Sequence, residues 1–585
     1  MFNRGGVRDR SELDHAIRRY KSAFITVGIL SAVLNVLLLG GSIYMMLIYD
    51  SVLPSHSVPT LVGLFAMVSV IYLFQAMFDI MRTRILGDVA GALDEKLSHR
   101  VQQVISEASL RGARLPGDGL IAMRDLDQIR SFLAGPGPST LMDLPWIVFF
   151  LGILFLLHVW LGVAALIGAI ILLFLAYLTD KSTKEPTVRL SQVQGYRNGL
   201  AESNLRHVEI LAALGMRRRM QDRFGEVNRM YQNAQMSLAR TVGILGGGSR
   251  VFRMLLQSII LTVGALLVIN GDASGGVIFA ASLLSGRALA PVDQAIGNWR
   301  NLAAARLGWE RLGELLRRVP APLEHRTILP RPSRELSVDN LAVIPPGAQQ
   351  ATVGGITFKL EAGSALGIIG PSAAGKSSLG RALINVWQPA RGSVRLDGAT
   401  LDQWDADVLG SMIGYLPQTV ELLEGTIAEN IARFEPDADS ANVVKAAQAA
   451  GVHDMIVRLP NGYETPVGFD GGSLSSGQRQ RIGLARALYG EPFVVLLDEP
   501  NSNLDAEGEA ALGHAIRSIR ERGGIAIVIA HRPSAIGHVN YILFLRDGRM
   551  EAFGPRDEVL KRSTNNAQSI TPPAPRVGVA AASGS

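Results

Sequence analysis

The chain has 585 residues, too many for one hydrophobic core, and at roughly 150 residues per domain its length allows about two to four domains. Apolar residues make up 48%, charged residues 18%, and cysteine is absent, which excludes disulfides and cysteine-ligated metal. The apolar balance is typical of a chain that is partly membrane-embedded, and basic loops on one side of a lipid bilayer account for the net charge of +6 without nucleic acid as a partner.

The first half of the sequence predicts six membrane-spanning helices. About 20 apolar residues cross the hydrocarbon core, and a basic, polar segment, 1–21, precedes an apolar run too long for a signal peptide. The predicted spans lie in 22–49, 60–78, two helices within 144–179 that join near His158, 254–271 and 277–286.

The basic residues give the orientation of these spans. The turns at 51–59, 156–162 and 270–277 lack Lys and Arg, whereas the long segments 82–130 and 181–240 are rich in both. The termini and long loops are therefore predicted to be cytoplasmic, with the loops continuing the membrane helices as helical extensions.

Several residues of this half have two interpretations. Arg250, Arg253 and Arg287, close to apolar spans, either contact substrate or simply snorkel and pair between helices. Segments 106–114 and 205–216 are either coupling helices that contact an ATPase domain or plain solvated turns.

The composition changes after Pro320. We predict a transmembrane domain over 22–320, a proline-punctuated linker over 321–332, and an α/β domain over 333–562 in which short apolar strands alternate with helices. The polar tail, 563–585, has too little apolar content to pack and is predicted to be disordered.

The strongest local motif is a phosphate-binding loop, GPSAAGKSS, between a strand-like run and a helical segment. Its glycines permit a tight turn, its backbone N–H groups surround phosphate, Lys376 neutralises negative charge, and Ser377 can bind Mg²⁺. The predicted nucleotide-binding residues are Gly370, Pro371, Ser372, Ala373, Ala374, Gly375, Lys376, Ser377 and Ser378.

A second apolar strand, FVVLLDEP, ends in two acidic residues. Asp498 is placed to hold Mg²⁺, and Glu499 to orient and deprotonate the water that attacks ATP. The alternative is a pair of solvent-facing acids, which the neighbouring phosphate-binding motif disfavours.

The segment LSSGQRQR, Leu474 to Arg481, resembles the signature sequence of ABC transporter ATPases, and the resemblance extends over essentially the whole chain. It implies ATP and Mg²⁺ as ligands and a homodimer with two shared ATP sites. It makes Gln418 a catalytic and metal-binding glutamine, and His531 a catalytic histidine that contacts the γ-phosphate. Leu474, Ser475, Ser476, Gly477, Gln478 and Asp505 would then complete the nucleotide site of the partner protomer.

Two positions depart from the family pattern. Ser476 replaces the usual second glycine, which slightly crowds the backbone near the nucleotide. The aromatic residue that normally stacks on adenine is absent. That region offers Ile344 or Pro345 instead, so we expect loose base selectivity.

The membrane half resembles that of type I secretion ATPases of Gram-negative bacteria. The matching segments are YMMLIYDSVLPSHSVPTL and STLMDLPWIVFF, and the short N-terminal extension favours the protease- and lipase-exporting branch. This resemblance implies an inner-membrane exporter of unfolded polypeptides with a C-terminal signal, working with a membrane fusion protein and an outer-membrane channel. The alternatives are a lipid or drug exporter with the same ATPase and a non-transporting, ATP-gated regulator.

Overall fold

The structure is a computed structural model that describes residues 12–112, 119–319, 329–468, 472–502, 504, 506–530 and 536–561. The chain divides into two compact units. The first comprises Met1–Ser109 and Arg114–Ala321, and the second comprises Leu110–Ala113 and Pro322–Ser585. The predicted tail, 563–585, lies outside the described residues.

The first unit is entirely helical in its described residues. Its helices are α1 (Glu12–Arg19), α2 (Lys21–Leu37), α3 (Leu39–Leu47), a π-helical turn (Ile48–Val52), α4 (Leu53–Ser55), α5 (Val58–Leu110), α6 (Ile121–Ala134), α7 (Gly137–Asp143), α8 (Trp146–Leu157), α9 (Val159–Arg206), α10 (Val208–Ala213), α11 (Arg217–Ile269), α12 (Gly275–Gly297) and α13 (Trp299–Arg318).

Six helical segments in the described part of the chain are long and apolar enough to cross a membrane, which confirms the predicted number. They are Lys21–Ser55, Val58–Leu110, Gly137–Leu157, Val159–Arg206, Arg217–Ile269 and Gly275–Gly297. The break between the third and fourth spans falls at His158, where the backbone is extended and the ring accepts a hydrogen bond from the Trp160 N–H.

Three of the helices are much longer than a membrane is thick. Helices α5 and α11 each have 53 residues and α9 has 48, lengths of about 70 to 80 Å against a hydrocarbon core of about 30 Å. Helix α9 continues through Pro186. The short helix α10 joins α9 to α11 and exposes Val208 and Ile210.

A carboxylate hub connects the first three spans. Asp143, at the end of α7, accepts hydrogen bonds from Arg82 at 3.0 Å, from Asn35 at 2.9 Å and from Ser31. Ser31 and Asn35 are buried on α2, and Arg82 belongs to α5. Since an unpaired charge is costly near a bilayer, this hub fixes the three helices against one another.

The arginines near the last two spans differ in their contacts. Arg253 on α11 forms an ion pair with Asp293 on α12, which also accepts a hydrogen bond from Ser249. This is the interhelical pairing that the sequence left open. Arg250 and Arg287 are exposed, and neither forms an ion pair within the described residues.

A second carboxylate, which is buried, holds the helical extensions together. Asp125 on α6 is 2% exposed and accepts two hydrogen bonds from Arg311 on α13, at 2.5 and 3.0 Å. Arg311 also donates to Ser191 of α9 at 2.9 Å. Burial raises the pKa of Asp125, whereas the guanidinium opposes that rise.

The second unit is an α/β domain. Its strands are β1 (Glu335–Val343), β2 (Val353–Glu361), β3 (Ala365–Ile369), β4 (Arg391–Leu396), β5 (Ala399–Thr400), β6 (Ile413–Leu416), β7 (Val494–Asp498), β8 (Ile525–Ile529), β9 (Tyr541–Arg546) and β10 (Arg549–Pro555). Its α-helices are α14 (Lys376–Leu383), α15 (Ala406–Met412), α16 (Ile427–Ile431), α17 (Ser440–Ala449), α18 (His453–Val457), α19 (Ser476–Leu488) and α20 (Ala506–Glu521), and short 3₁₀ turns span Leu401–Gln403 and Gly462–Glu464.

The strands form two sheets. Four strands, in the order β2-β1-β4-β5, make an antiparallel sheet. Six strands, in the order β10-β9-β3-β8-β7-β6, make a sheet in which every pair except β10–β9 is parallel. Strands β7 and β8 are fully buried and read as continuous apolar runs, as expected for central parallel strands.

We predict that replacing Arg311 with Ala destabilises the transmembrane unit. The substitution leaves the Asp125 carboxylate buried without its partner, a loss of about 3 kcal/mol. Thermal unfolding of the purified protein in detergent would show a lower midpoint.

The matched control is Arg306→Ala on the same helix. Arg306 pairs with Glu310 at 3.5 Å, but both side chains are mostly exposed, so the unfolding midpoint should stay at the wild-type value. Equal midpoints for both variants would contradict the proposed importance of the buried pair.

Candidate nucleotide site

The loop between β3 and α14 has the backbone conformation of a phosphate-binding loop. Gly370, Ala373 and Gly375 have φ values of 152°, 63° and 95°. A Cβ at Gly370 would collide with the Leu545 carbonyl oxygen, and one at Gly375 would lie 2.6 Å from the Val353 side chain. Both positions therefore require glycine, and the turned loop directs backbone N–H groups toward a common centre.

Lys376 begins α14 and is 5% exposed. Its ammonium donates hydrogen bonds to the carbonyl oxygens of Gly370 and Pro371 at 2.9 and 2.8 Å, so it curls back over the loop. Burial lowers its pKa, while the charges of Glu499 and Asp498 oppose that effect. This is a cation positioned where a phosphate group would neutralise it.

Asp498 ends β7 beside the same loop. It is 2% exposed, and the Ser377 hydroxyl lies 3.4 Å from its Oδ1. Burial raises the pKa of Asp498, whereas contact with Ser377 lowers it. A hydroxyl and a carboxylate side by side next to a phosphate loop are the oxygen ligands that Mg²⁺ takes in proteins, so these residues fit that ion.

Glu499 follows with φ 49°, a left-handed conformation that is unusual for glutamate and often marks a functional site. Its N–H donates to the Ile529 carbonyl at 2.9 Å, which fixes it at the end of β8. The Gln418 side-chain amide, which follows β6, donates to its carboxylate at 2.9 Å. The structure thus brings two of the three predicted catalytic residues into direct contact.

The signature residues form a capped helix end. The Ser475 hydroxyl accepts from the Gln478 N–H at 3.2 Å, and the Gln478 side chain accepts from the Ser475 N–H at 2.9 Å. This reciprocal capping box fixes the start of α19, and Ser475 and Ser476 are exposed. Ser476 is the first helical residue, where a side chain points to solvent without strain.

The remaining predicted residues either make no hydrogen bond to the phosphate-binding loop or lie outside the described residues. Ile344 is 38% exposed just after β1. Among the described residues, no hydrogen bond links 474–478 to 370–378. Asp505 and His531 lie outside the described residues.

Sequence reasoning missed a residue that connects the signature helix to the acidic strand. Gln480 is 2% exposed on α19, and its amide donates to the Pro500 carbonyl at 2.6 Å, directly after Glu499. A polar residue inside a helix face that is otherwise buried was the available signal. Gln480 ties the position of Glu499 to the start of α19.

Arg381 is a second residue of this kind. Its guanidinium lies 4.8 Å from the centre of the Trp387 ring, and its charge lowers the pKa of Asp498, against the larger effect of burial. Its charge therefore acts on the acidic strand end from α14, which no sequence motif indicated.

A phosphate loop, an acidic strand end, a glutamine on the catalytic glutamate and a capped signature helix define an ABC-type ATPase, joined here to six membrane-spanning helices. Residues 353–502 match the family model for the ABC transporter ATPase, described as "ABC transporter". Residues 24–291 match the family model described as "ABC transporter transmembrane region".

The similarity to known proteins extends over nearly the whole chain. The type I secretion system ATP-binding protein PrsD of Rhizobium meliloti (strain 1021) is 52% identical over 548 residues, 93% of each chain. The leukotoxin translocation ATP-binding protein LktB of Mannheimia glucosida is 28% identical over 554 residues, 94% of this chain and 78% of LktB. A bacterial Atm1-family ABC exporter solved with ATP bound has a TM-score of 0.77 at 23% identity, over 95% of this chain and 99% of that one, and so shares the fold.

The chain belongs to the ABC transporter family, as a type I secretion ABC exporter. It is a multi-pass membrane protein whose ATPase domain couples ATP hydrolysis to transport. The predicted family, fold class and enzymatic activity are confirmed.

We predict that Gly375→Ala weakens ATP binding by about tenfold. An alanine at φ 95° is strained, and its Cβ would push against Val353 and the Thr352 carbonyl, 2.8 Å away. Equilibrium binding of a fluorescent ATP analogue measures the loss.

Gly410→Ala is the control for this substitution. Gly410 is in helix α15, and a Cβ there would meet nothing within 4 Å. Its ATP affinity should equal that of the wild type, and the same loss in both variants would argue against strain at the phosphate loop.

Proposed function

We propose that this exporter uses ATP to move unfolded polypeptides with a C-terminal signal out of the cell. The observation that carries the proposal is the 52% identity, along 93% of both chains, to a protein named for type I secretion. The more distant relative LktB is named for leukotoxin translocation. One name refers to secretion and the other to the translocation of a toxin, and both support export of a polypeptide.

The residues of the nucleotide site have separate roles in this proposal. The loop 370–378 and Lys376 bind the phosphates, and Ile344 lies against the base. Mg²⁺, bound by Ser377, Asp498 and Gln418, would neutralise part of the phosphate charge. Glu499, oriented by Gln418, accepts a proton from the attacking water, and His531 contacts the γ-phosphate.

The working form would be a homodimer in which each ATP lies between two protomers. Residues 474–478 lie at the N-terminus of α19, where Ser475 and Ser476 are exposed and the helix dipole favours an anion. These residues and Asp505 would contact the γ-phosphate bound by the partner. ATP then favours closure of the dimer, and hydrolysis removes the bridge between its halves.

The exporter would lie in the inner membrane, with the termini and ATPase domain in the cytoplasm, as the distribution of Lys and Arg in the loops favours. The turns at 51–59, 156–162 and 270–277 would then face the periplasm. A membrane fusion protein and an outer-membrane channel are the proposed partners that complete the route to the medium. Nucleic acid has no part in it.

The walls of the transmembrane unit favour a polypeptide over a lipid or drug. One cavity, about 460 Å³, is lined by Asp79, Arg82, Asp143 and Arg287. A second, about 740 Å³, is lined by polar side chains such as Gln194 and Arg300 together with apolar ones such as Leu190, Leu238 and Val242. A lipid-binding chamber would need an apolar lining, because burying apolar surface supplies most of its affinity.

Replacing Glu499 with Gln should stop secretion while ATP binding persists. The amide keeps the size of the side chain but cannot accept the water proton, so hydrolysis should fall by about a hundredfold or more. The measurement compares culture-medium proteins and ATPase rates between the wild type and the variant.

Glu491→Gln is the matched control, because Glu491 is an exposed acid paired with Lys445 at 2.7 Å. Its secretion and ATPase rates should equal those of the wild type. If the Glu499→Gln medium keeps all its polypeptides while ATP hydrolysis is lost, polypeptide export is the wrong function and lipid or drug export takes its place.

The absence of an aromatic residue at the base site predicts weak binding of the base. Base stacking on an aromatic side chain is worth about 1–3 kcal/mol, which Ile344 does not supply. We expect Ile344→Tyr to lower the KM for ATP by about fivefold or more, and Ile344→Leu to leave it unchanged. Equal KM values for the Tyr and Leu variants would show that residue 344 does not contact the base.

A further inference from the structure

Two arginines of the ATPase domain hold the chain around Gln418. Arg433, just after α16, donates from its guanidinium to the Ile413 carbonyl, at the start of β6, at 3.1 Å. Arg486, near the end of α19, donates to the Glu421 carbonyl, also at 3.1 Å. Gln418 lies between these two acceptors in the sequence, so the backbone is fixed on both sides of it.

Arg433 also contacts the end of α19 itself. It donates to the carbonyl oxygens of Arg486 and Ala487 at 3.0 and 3.3 Å. These carbonyls belong to the last turn of α19, where they lack a partner within the helix and the helix dipole favours a cation. One guanidinium thus joins the start of β6 to the end of the helix that begins with the signature residues.

Strand β6 and the end of α19 also approach each other directly. Strand β6 is at the edge of its sheet and pairs with β7. A Cβ at Gly414 would collide with the Ala487 carbonyl oxygen, so only glycine lets the two backbones come this close. The contact between β6 and α19 is therefore built into the backbone, and Arg433 lies at it.

The placement of Arg433 is unfavourable in itself. Arg433 and Phe434 have φ values of 56° and 57°, and consecutive non-glycine residues in the left-handed region are uncommon. Burial lowers the pKa of Arg433, and the charge of Arg486 lowers it further. Neither arginine forms an ion pair within the described residues. A strained turn that brings a half-buried cation onto backbone carbonyls indicates that its position serves a function.

Gln418 is the residue whose position depends on these contacts. Its side chain is exposed, and within the described part of the chain it makes one hydrogen bond, to the Glu499 carboxylate at 2.9 Å. An exposed side chain with a single partner does not fix its own backbone. The held carbonyls of Ile413 and Glu421, five residues before it and three after it, do so instead.

We propose that Arg433 and Arg486 are positioning residues for ATP hydrolysis. Their guanidinium groups fix the chain around Gln418 against α19, so that the Gln418 amide meets the Glu499 carboxylate. The inference rests on the proposed role of Gln418 and adds to it the residues that place that side chain. Neither arginine needs to touch the nucleotide, because both act through Gln418.

Steady-state ATP hydrolysis by the full-length exporter in lipid nanodiscs tests the proposal. Arg433→Met removes the hydrogen-bond donors, and kcat should fall by about tenfold, because a small displacement of a catalytic group is enough for such a loss. The KM for ATP should stay unchanged, since the phosphate loop is intact. Arg433→Lys keeps a cation at the end of α19 and should restore part of kcat. A raised KM at constant kcat, or no change in either, would overturn the proposal.

Arg486→Met is a milder second variant, because it removes only the hydrogen bond to the Glu421 carbonyl. Its kcat should fall by about threefold, again at constant KM. A wild-type kcat in this variant would show that the Glu421 contact does not position Gln418.

Arg522→Met is the matched control for a loss of stability. Arg522 follows α20, is half-buried, and donates to the Pro492 carbonyl at 2.7 Å, away from Gln418. This variant should lower the thermal unfolding midpoint as Arg433→Met does, but its kcat per folded protein should equal that of the wild type. An equal fall in kcat for both variants would mean that Arg433 only stabilises the domain.

Combination with Gln418→Ala shows whether Arg433 acts through Gln418. If it does, Arg433→Met should lower kcat no further once Gln418 is replaced, whereas independent losses would multiply. Multiplied losses would overturn the inference while the role of Gln418 stands. If Gln418→Ala alone keeps the wild-type kcat, the proposed role of Gln418 fails, and this inference fails with it.

Discussion

The ATP site depends on the parallel pairing of three buried strands, β3, β8 and β7. Their register places Ile368 beside Ile529, and Ile529 beside Asp498, so the three strands end at one edge of the sheet. The phosphate loop follows β3 and the two acids follow β7. Strands β7 and β8 are completely buried and β3 is nearly so, and their common edge holds a lysine and two carboxylates together.

This arrangement gathers groups that are costly to bury separately. Lys376 and Asp498 are both nearly inaccessible to solvent. Burial lowers the pKa of Lys376 and raises the pKa of Asp498, because it disfavours the charged form of each group. Their opposite charges partly offset that cost. Bound phosphate and a divalent cation would offset the rest, which gives the site an electrostatic preference for these ligands.

In the transmembrane unit, too, opposite charges offset the cost of placing a charged group away from water. The half-buried carboxylate of Asp143 and the buried carboxylate of Asp125 each accept hydrogen bonds from an arginine on a distant helix. Since a carboxylate without a partner is unfavourable in an apolar setting, each pair fixes which helices lie together. Arg287 and Arg300 have no such partner within the described residues, and both line cavities. Charges that fix the architecture are thus distinct from charges available to a ligand.

The sequence by itself determined the features that depend on neighbouring residues. The length of an apolar run decides whether it can cross a membrane, so six spans were predictable, and glycines and lysine close together identify the phosphate loop. Tertiary structure decided which distant residues meet. Gln418 reaches Glu499 across 81 positions, and Gln480 ties the signature helix to the acidic strand. These contacts cannot be read locally, because strand register and helix packing set them.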